Sequence, residues 1–320
     1  MSTLRIHERD AIHFVTNRTE HQLFLLLPTK AINELVLQWL ARAKEEKGRG
    51  IEIFAFVVLS NHFHMLLRDT KGELAAFMDY FQGCLATAVN RHWGREGTFW
   101  QRRYDDEVVK GNAEFWNRYA YLLANPVKSG LVGVPSHWRG VSSLSYLLDH
   151  KPVEVKGLRW GDYNEARRWN KKVKKEDFEC TWSFALTPPP EFEKKPHAKL
   201  VAFVTELLQS ACAKYRADRM WKAPLGMQRV LQQSPFSSPK KKEKKPRQRF
   251  FCLDKGRLDA LENAYRAFVD SYRSCMDAWR KCRRHPGRAA QIEWPRWSYP
   301  PGISCPWDSD RIDSTVCVRV

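Results

Sequence analysis

Two imidazoles stand at alternate positions in the run Asn61-His62-Phe63-His64-Met65-Leu66-Leu67. In an extended strand, residues i and i+2 project from one face. His62 and His64 therefore stand together, and Phe63, Met65 and Leu67 point the opposite way. Two neutral imidazoles so placed are either half of a metal site or a pair of half-exposed polar side chains. A second run, Arg118-Tyr119-Ala120-Tyr121-Leu122-Leu123-Ala124-Asn125-Pro126-Val127, has helical character. Tyr121 and Asn125 are four apart and share a face if the helix reaches that far. Pro126 disfavours helical geometry at Asn125, so the shared face is conditional. A phenol beside an amide oxygen offers a nucleophile and a third metal ligand. The plainer reading is a rim tyrosine of an amphipathic helix.

The elements that must position these groups follow from hydrophobic periodicity. His13–Asn17 and Gln22–Leu27 are expected strands. Ile32, Leu35, Val36, Trp39, Leu40 and Ala43 recur at helical spacing behind a cap at Thr29. Ile51–Leu59 and His62–Arg68 form a β-ribbon around Ser60-Asn61. Leu74, Phe77, Met78, Phe81, Leu85 and Val89 mark a second helix, Thr98–Val109 contains a strand, and Ala113–Asn125 reads as a third helix. The order β-α-β-β-α-β plus a helix predicts an α+β, ferredoxin-like antiparallel sheet. Two helices should cover one face, leaving the histidine face open.

The later residues have a different texture. Positions 151–198 look like an irregular connector, and 199–320 like a mainly helical, basic region interrupted by a linker at 234–249. Leu258, Leu261, Tyr265, Phe268, Tyr272, Cys275 and Trp279 step by three and four, as in a long packed helix. Charge is divided just as unevenly. Residues 1–150 hold 18 Lys/Arg against 16 Asp/Glu, whereas the remainder holds 36 against 20, so nearly all of the formal +18 lies there. That asymmetry favours a polyanionic partner, nucleic acid first. Lys240, Lys241 and Lys242, with Lys244, Lys245, Arg247 and Arg249, would add salt-dependent affinity, or form a solvated linker. Phe236, Phe250 and Phe251 are available to stack unpaired bases.

Several classes are excluded. No apolar run approaches a bilayer span, and no apolar stretch follows the charged N-terminus, so neither a membrane protein nor a secreted one is expected. The eight cysteines form no CxxC pair and suit free thiols in a reducing cytosol. Cys275, Cys282 and His285 match no standard zinc spacing.

Together the two motifs resemble the single-tyrosine HUH transposases, in particular the REP-associated tyrosine transposases. Their pattern is a strand P-N-H-(hydrophobic)-H-(hydrophobic)3 and, downstream, a helix Y-(x)2-L-N-P-V-(basic)-A-G-(L/M)-V. Here Ser60 replaces the proline, Ala124 the leucine and Ser129 the alanine. Phe99–Tyr104 is similar to the family's F-W-Q-x-R-(F/Y) segment, and His13–Arg18 to its opening strand. The resemblance spans about residues 8–150; the stretches 223–235 and 265–280 are more loosely similar to C-terminal extensions of longer members.

The resemblance implies single-stranded or hairpin DNA as partner, with Tyr121 as the nucleophile that leaves a 5′-phosphotyrosine and a free 3′-OH. It implies His62, His64 and Asn125 as ligands of a divalent ion, Mg2+ or Mn2+, and a cytoplasmic, nucleoid-associated protein. Relatives act as monomers or as dimers that exchange the tyrosine helix, and both remain open here. A phenol ordinarily titrates near ~10, so a cation or substrate positioning must compensate. Tyr119 faces roughly the other side of the helix, and Tyr104 falls in an expected strand. Arg102, Arg103 and Lys128 are candidate phosphate contacts. One rival keeps the fold as a non-catalytic single-stranded nucleic-acid binder. A second rival, a zinc hydrolase built on HxH, lacks nearby acidic ligands, since Asp69 is out of phase with the histidines.

Overall fold

A computed structural model describes residues 4–298 except 7, 9, 221, 240–247, 283–290 and 296. Its strands are β1 Ile12–Arg18, β2 Ile51–Leu59, β3 His62–Asp69, β4 Asp105–Val109, β5 Val153–Leu158, β6 Glu179–Phe184 and β7 Phe250–Phe251. The helices are α1 Lys30–Lys47, α2 Leu74–His92, α3 Asn112–Leu123, α4 Asn125–Lys128, α5 Ser143–Leu148, α6 Trp160–Trp169, α7 His197–Asp218, α8 Met227–Leu231 and α9 Lys255–Cys282. The expected α+β class is borne out.

Five strands form the main sheet in the order β2-β3-β1-β4-β7. Pairings among the first four are antiparallel, and β7 joins β4 in parallel. The β1–β3 register places Thr16 opposite His64 and Arg18 opposite His62. Along β3, Phe63, Met65 and Leu67 enter a core beneath α1 and α2, as alternation requires. Strand β2 changes phase at a bulge between Ile53 and Ala55. Ile51 and Ile53 precede it on the α1/α2 side, whereas Phe54 and Ala55 both turn to the opposite core. The Thr29 hydroxyl caps α1 by accepting from Ile32 N at 3.3 Å. The Asp69 carboxylate accepts the amides of Glu73 and Leu74 at 3.0 Å, which engages it at the entry to α2 and away from the histidines.

Several expectations are corrected. The histidine face is not open. α3 folds back across it, and the apolar stripe Leu200, Val204, Leu208 and Cys212 of α7 joins Leu122, Leu123 and Val127 in a second core. Gln22–Leu27 is not a strand. His21 and Gln22 take positive φ values of 51° and 59°, which end extended geometry, and Leu25–Leu27 are buried in an irregular segment. Only the end of Thr98–Val109 is a strand, and Tyr104 precedes it. α3 stops at Leu123, with Ala124 at φ −87°, ψ 1° before a separate turn of helix from Asn125.

The expected irregular connector contains the β5–β6 hairpin, and Trp182 and Phe184 of β6 join the first core. The long helix is present as α9, whose Tyr265 and Phe268 pack with Val108 and Phe250. The described cysteines are free thiols. His285 and Lys240–Lys242 lie outside the described residues. No helix among the described residues is long and apolar enough to cross a membrane.

Candidate active site

His62 and His64 project from β3 as alternation requires, with ring centroids 5.0 Å apart. His62 Nδ1 is 2.7 Å from Asn61 Oδ1. Asn61 Nδ2 in turn donates to Gln22 O at 3.1 Å, which fixes the orientation of the amide. His62 must therefore carry its proton on Nδ1 and present a lone pair at Nε2. His64 Nδ1 and Thr16 Oγ1 are hydrogen-bonded at 2.6 Å, while His64 Nε2 is buried without a hydrogen-bond partner among the described residues. Phe14 stacks on the His64 ring at 5.1 Å and 22°.

Tyr121 extends from α3 toward this pair. Its ring meets His64 edge-on, with centroids 5.4 Å apart at 77°. Although α3 breaks before Asn125, the Asn125 amide still lies close enough to the Tyr121 phenol to favour its ionised form. It is 2% exposed, and its Oδ1 accepts from Ser129 Oγ at 3.0 Å. The i, i+4 juxtaposition therefore survives the helix break, because a new turn begins at Asn125 itself.

The electrostatics suit an anion. Burial, with Arg18 adding to it, pushes His62 down to about 3, and burial together with the neighbouring cations holds His64 well below its ordinary value. Both imidazoles are neutral at neutral pH, the protonation state that ligates metals. Burial raises the Tyr121 phenol, and Arg118, the Asn125 amide and Arg18 oppose that rise. Lys128 Nζ lies 4.1 Å from the Tyr121 ring centroid.

The site is compatible with a divalent ion. It offers two neutral imidazoles, one with an orphaned buried nitrogen, and each held through its other nitrogen by a neighbouring side chain, as metal-binding histidines usually are. Among the described residues no group of three His, Cys, Asp or Glu side chains comes together to hold a metal.

Other candidates lie apart or are engaged elsewhere. Tyr119 is 1% exposed and packs against Phe115 and Trp116 in the second core. Arg102 is exposed and pairs with Asp105 at 2.7 Å, and Arg103 is exposed beside it. Sequence reading missed Phe14, Thr16, Arg18, Glu107 and Arg118, and offered Phe251 only as a ring for stacking bases. Arg118 was accessible to the spacing argument, since it lies three residues before Tyr121. The others are brought in by strand register, which local sequence does not encode.

No family model matches the chain. A Haemophilus influenzae protein named for the REP-associated tyrosine transposases is 28% identical over 123 residues, covering 34% of this chain and 66% of that relative's length. Among solved structures, a REP-associated tyrosine transposase bound to a REP hairpin aligns at TM-score 0.40 and 18% identity, over 47% of this chain and 86% of that one. A Deinococcus radiodurans protein described as a transposase aligns at TM-score 0.27 and 17% identity, over 37% and 94% respectively. The sequence relative bears out the resemblance carried by the two motifs.

Proposed function

We infer that this chain, similar in sequence to the REP-associated tyrosine transposases, is a single-stranded DNA endonuclease and strand transferase that acts through Tyr121. The observation that carries this reading is the Tyr121 ring, edge-on at 5.4 Å to a histidine whose Nε2 is buried without a hydrogen-bond partner among the described residues. A non-catalytic binder would leave that orphaned nitrogen without a purpose. We take the strand order β2-β3-β1-β4 as a ferredoxin-like framework, with residues 1–150 as the nuclease unit and α7 and β7 as its later support.

In the reaction, Tyr121 Oη forms a bond to the scissile phosphorus and the P–O3′ bond breaks. The phenolic proton passes to water and the departing 3′ oxygen takes one up, leaving a 5′-phosphotyrosine and a free 3′-OH. Attack by a 3′-OH reverses the exchange and rejoins a strand without ATP. The Asn125 amide, beside the phenol, would help to stabilise its ionised form. His62, His64 and Asn125 would hold a divalent ion, Mn2+ or Mg2+; imidazole ligands suit Mn2+ at least as well. When bound, that ion supplies Lewis-acid polarisation of a phosphate oxygen. One chain brings Tyr121 to His64, so we propose cleavage in cis on hairpin-bearing single-stranded DNA.

Incubation with a hairpin-bearing oligonucleotide and Mn2+ tests this reading. A covalent adduct that survives a denaturing gel and is lost in Tyr121→Phe supports it. An adduct at the wild-type level in Tyr121→Phe contradicts it.

A further inference from the structure

We propose that Arg118 is the guanidinium that meets the scissile phosphate beside Tyr121, and that Phe251 of β7 is the positioning residue that holds it there. The proposal rests on the nuclease reading above and extends it to a residue that neither motif gives a role and to the C-terminal half of the chain.

Arg118 lies three residues before Tyr121 on α3, so both side chains leave the same helix face. Its guanidinium carbon is 5.8 Å from the Tyr121 ring centroid, 5.0 Å from that of Phe14 and 3.5 Å from that of Phe251. The Arg118 side chain is 14% exposed. Nη2 lies 2.7 Å from each oxygen of the buried Glu107 carboxylate, and Nε is buried without a hydrogen-bond partner among the described residues. A guanidinium has five N–H donors, and a buried cation with an unmet donor is costly unless a ligand satisfies it. Its planar fork suits phosphate oxygens. Arg18 and Lys128, the neighbouring cations, are exposed and lack this confinement.

The support comes from far along the chain. β7 is two residues long and pairs Phe250 with Val108 and Phe251 with Val109. Phe250 is buried with Tyr265 and Phe268 of α9. Successive side chains of a strand face opposite ways. Anchoring Phe250 on the α9 side therefore delivers Phe251 to the guanidinium on the other side. An aromatic face within about 6 Å attracts a cation and fixes its plane. The C-terminal half thus completes the site through one aromatic ring, whatever its basic stretch contributes.

The test uses the full chain, a hairpin-bearing single-stranded oligonucleotide and two readouts. One is the salt dependence of binding, and the other is the single-turnover rate of adduct formation at saturating oligonucleotide in Mn2+. Losing one phosphate contact on a single strand lowers the slope of log K against log salt by about 0.7, which is expected for Arg118→Gln. The adduct rate of that variant should fall by about 100-fold, as when a transition-state donor is lost. Arg118→Lys, which keeps Glu107 paired and guards against misfolding, should keep the slope and recover only part of the rate. Phe251→Leu should slow adduct formation by about 10-fold through misplacement. It should have no further effect on rate or affinity once Arg118 is Gln.

An unchanged slope in Arg118→Gln overturns the phosphate contact, whether or not the wild type cuts. Additive effects of Phe251→Leu and Arg118→Gln, on affinity or on rate, overturn the positioning role. Absence of any wild-type adduct contradicts the nuclease reading instead, and the binding measurements then still decide the roles of Arg118 and Phe251.

Discussion

Asn61 and His62 form a fixed pair: Asn61 Oδ1 accepts from His62 Nδ1 at 2.7 Å, and Asn61 Nδ2 donates to Gln22 O at 3.1 Å. Both ends of the amide are committed, so the ring can neither flip nor change tautomer without breaking a bond. Loss of such a partner typically lowers metal affinity by about 10- to 100-fold. Asn61→Ala should therefore weaken Mn2+ binding by that factor in calorimetry while leaving the fold intact. Unaltered affinity would show that the amide does not set the ring.

Tyr119→Phe provides an internal control for the nucleophile. The Tyr119 ring is 1% exposed, and burial pushes its phenol far above the ordinary tyrosine range. Its removal should leave the rate of adduct formation within about 2-fold, since a conservative change outside the reacting groups touches no transition-state interaction. A loss comparable to that of Tyr121→Phe would require reassigning the nucleophile.

The chain's stability should depend on pH through His13. Its Nδ1 lies 2.8 Å from Asp106 Oδ1, in a buried pair. Burial, the largest influence, opposes protonation, but Asp106 and then Asp69 and Glu8 outweigh it, and the pKa is raised. The folded state therefore holds its proton more tightly than the unfolded chain, whose histidine titrates near ~6.5. This stabilisation is fully present below the unfolded value and is lost as pH rises through the raised folded value. Urea midpoints should fall across that window in the wild type, and His13→Gln should remove this component. Equal slopes in the two proteins would contradict it.

Trp182→Ala tests whether residues 151–198 belong to the first core. The indole is 2% exposed and packs in the core beneath α1 and α2. Removing a buried aromatic typically costs about 3–5 kcal/mol, and one cooperative urea transition should shift by that amount. A shift under about 1 kcal/mol would mark the hairpin as an appendage, since surface substitutions cost about that little.

Local periodicity made α1, β2, β3, α2 and α9 legible, and the His62/His64 face followed from two-residue alternation alone. What covers that face was not legible. Leu200, Val204, Leu208 and Cys212 announce a helix, yet nothing in their spacing says it packs over Tyr121. The pair Phe250-Phe251 is too short to read as a strand, and its parallel pairing with β4 is set by α9 packing at long range. The Tyr121–Asn125 relation was read as conditional on a continuous helix, whereas α3 ends at Leu123, Pro126 has no N–H to continue the helical ladder, and Asn125 opens a new turn. Arg118 fell within the spacing rule, whereas Glu107 and Phe251, which hold it, are visible only in the folded chain.

Peptide mapping of the denatured protein–oligonucleotide adduct by mass spectrometry tests the central claim most directly. The account predicts the nucleotide mass on the peptide containing Tyr121, attached through its phenolic oxygen and dependent on the divalent ion. Attachment at another residue, or cutting that proceeds with no protein-linked nucleotide, would contradict it.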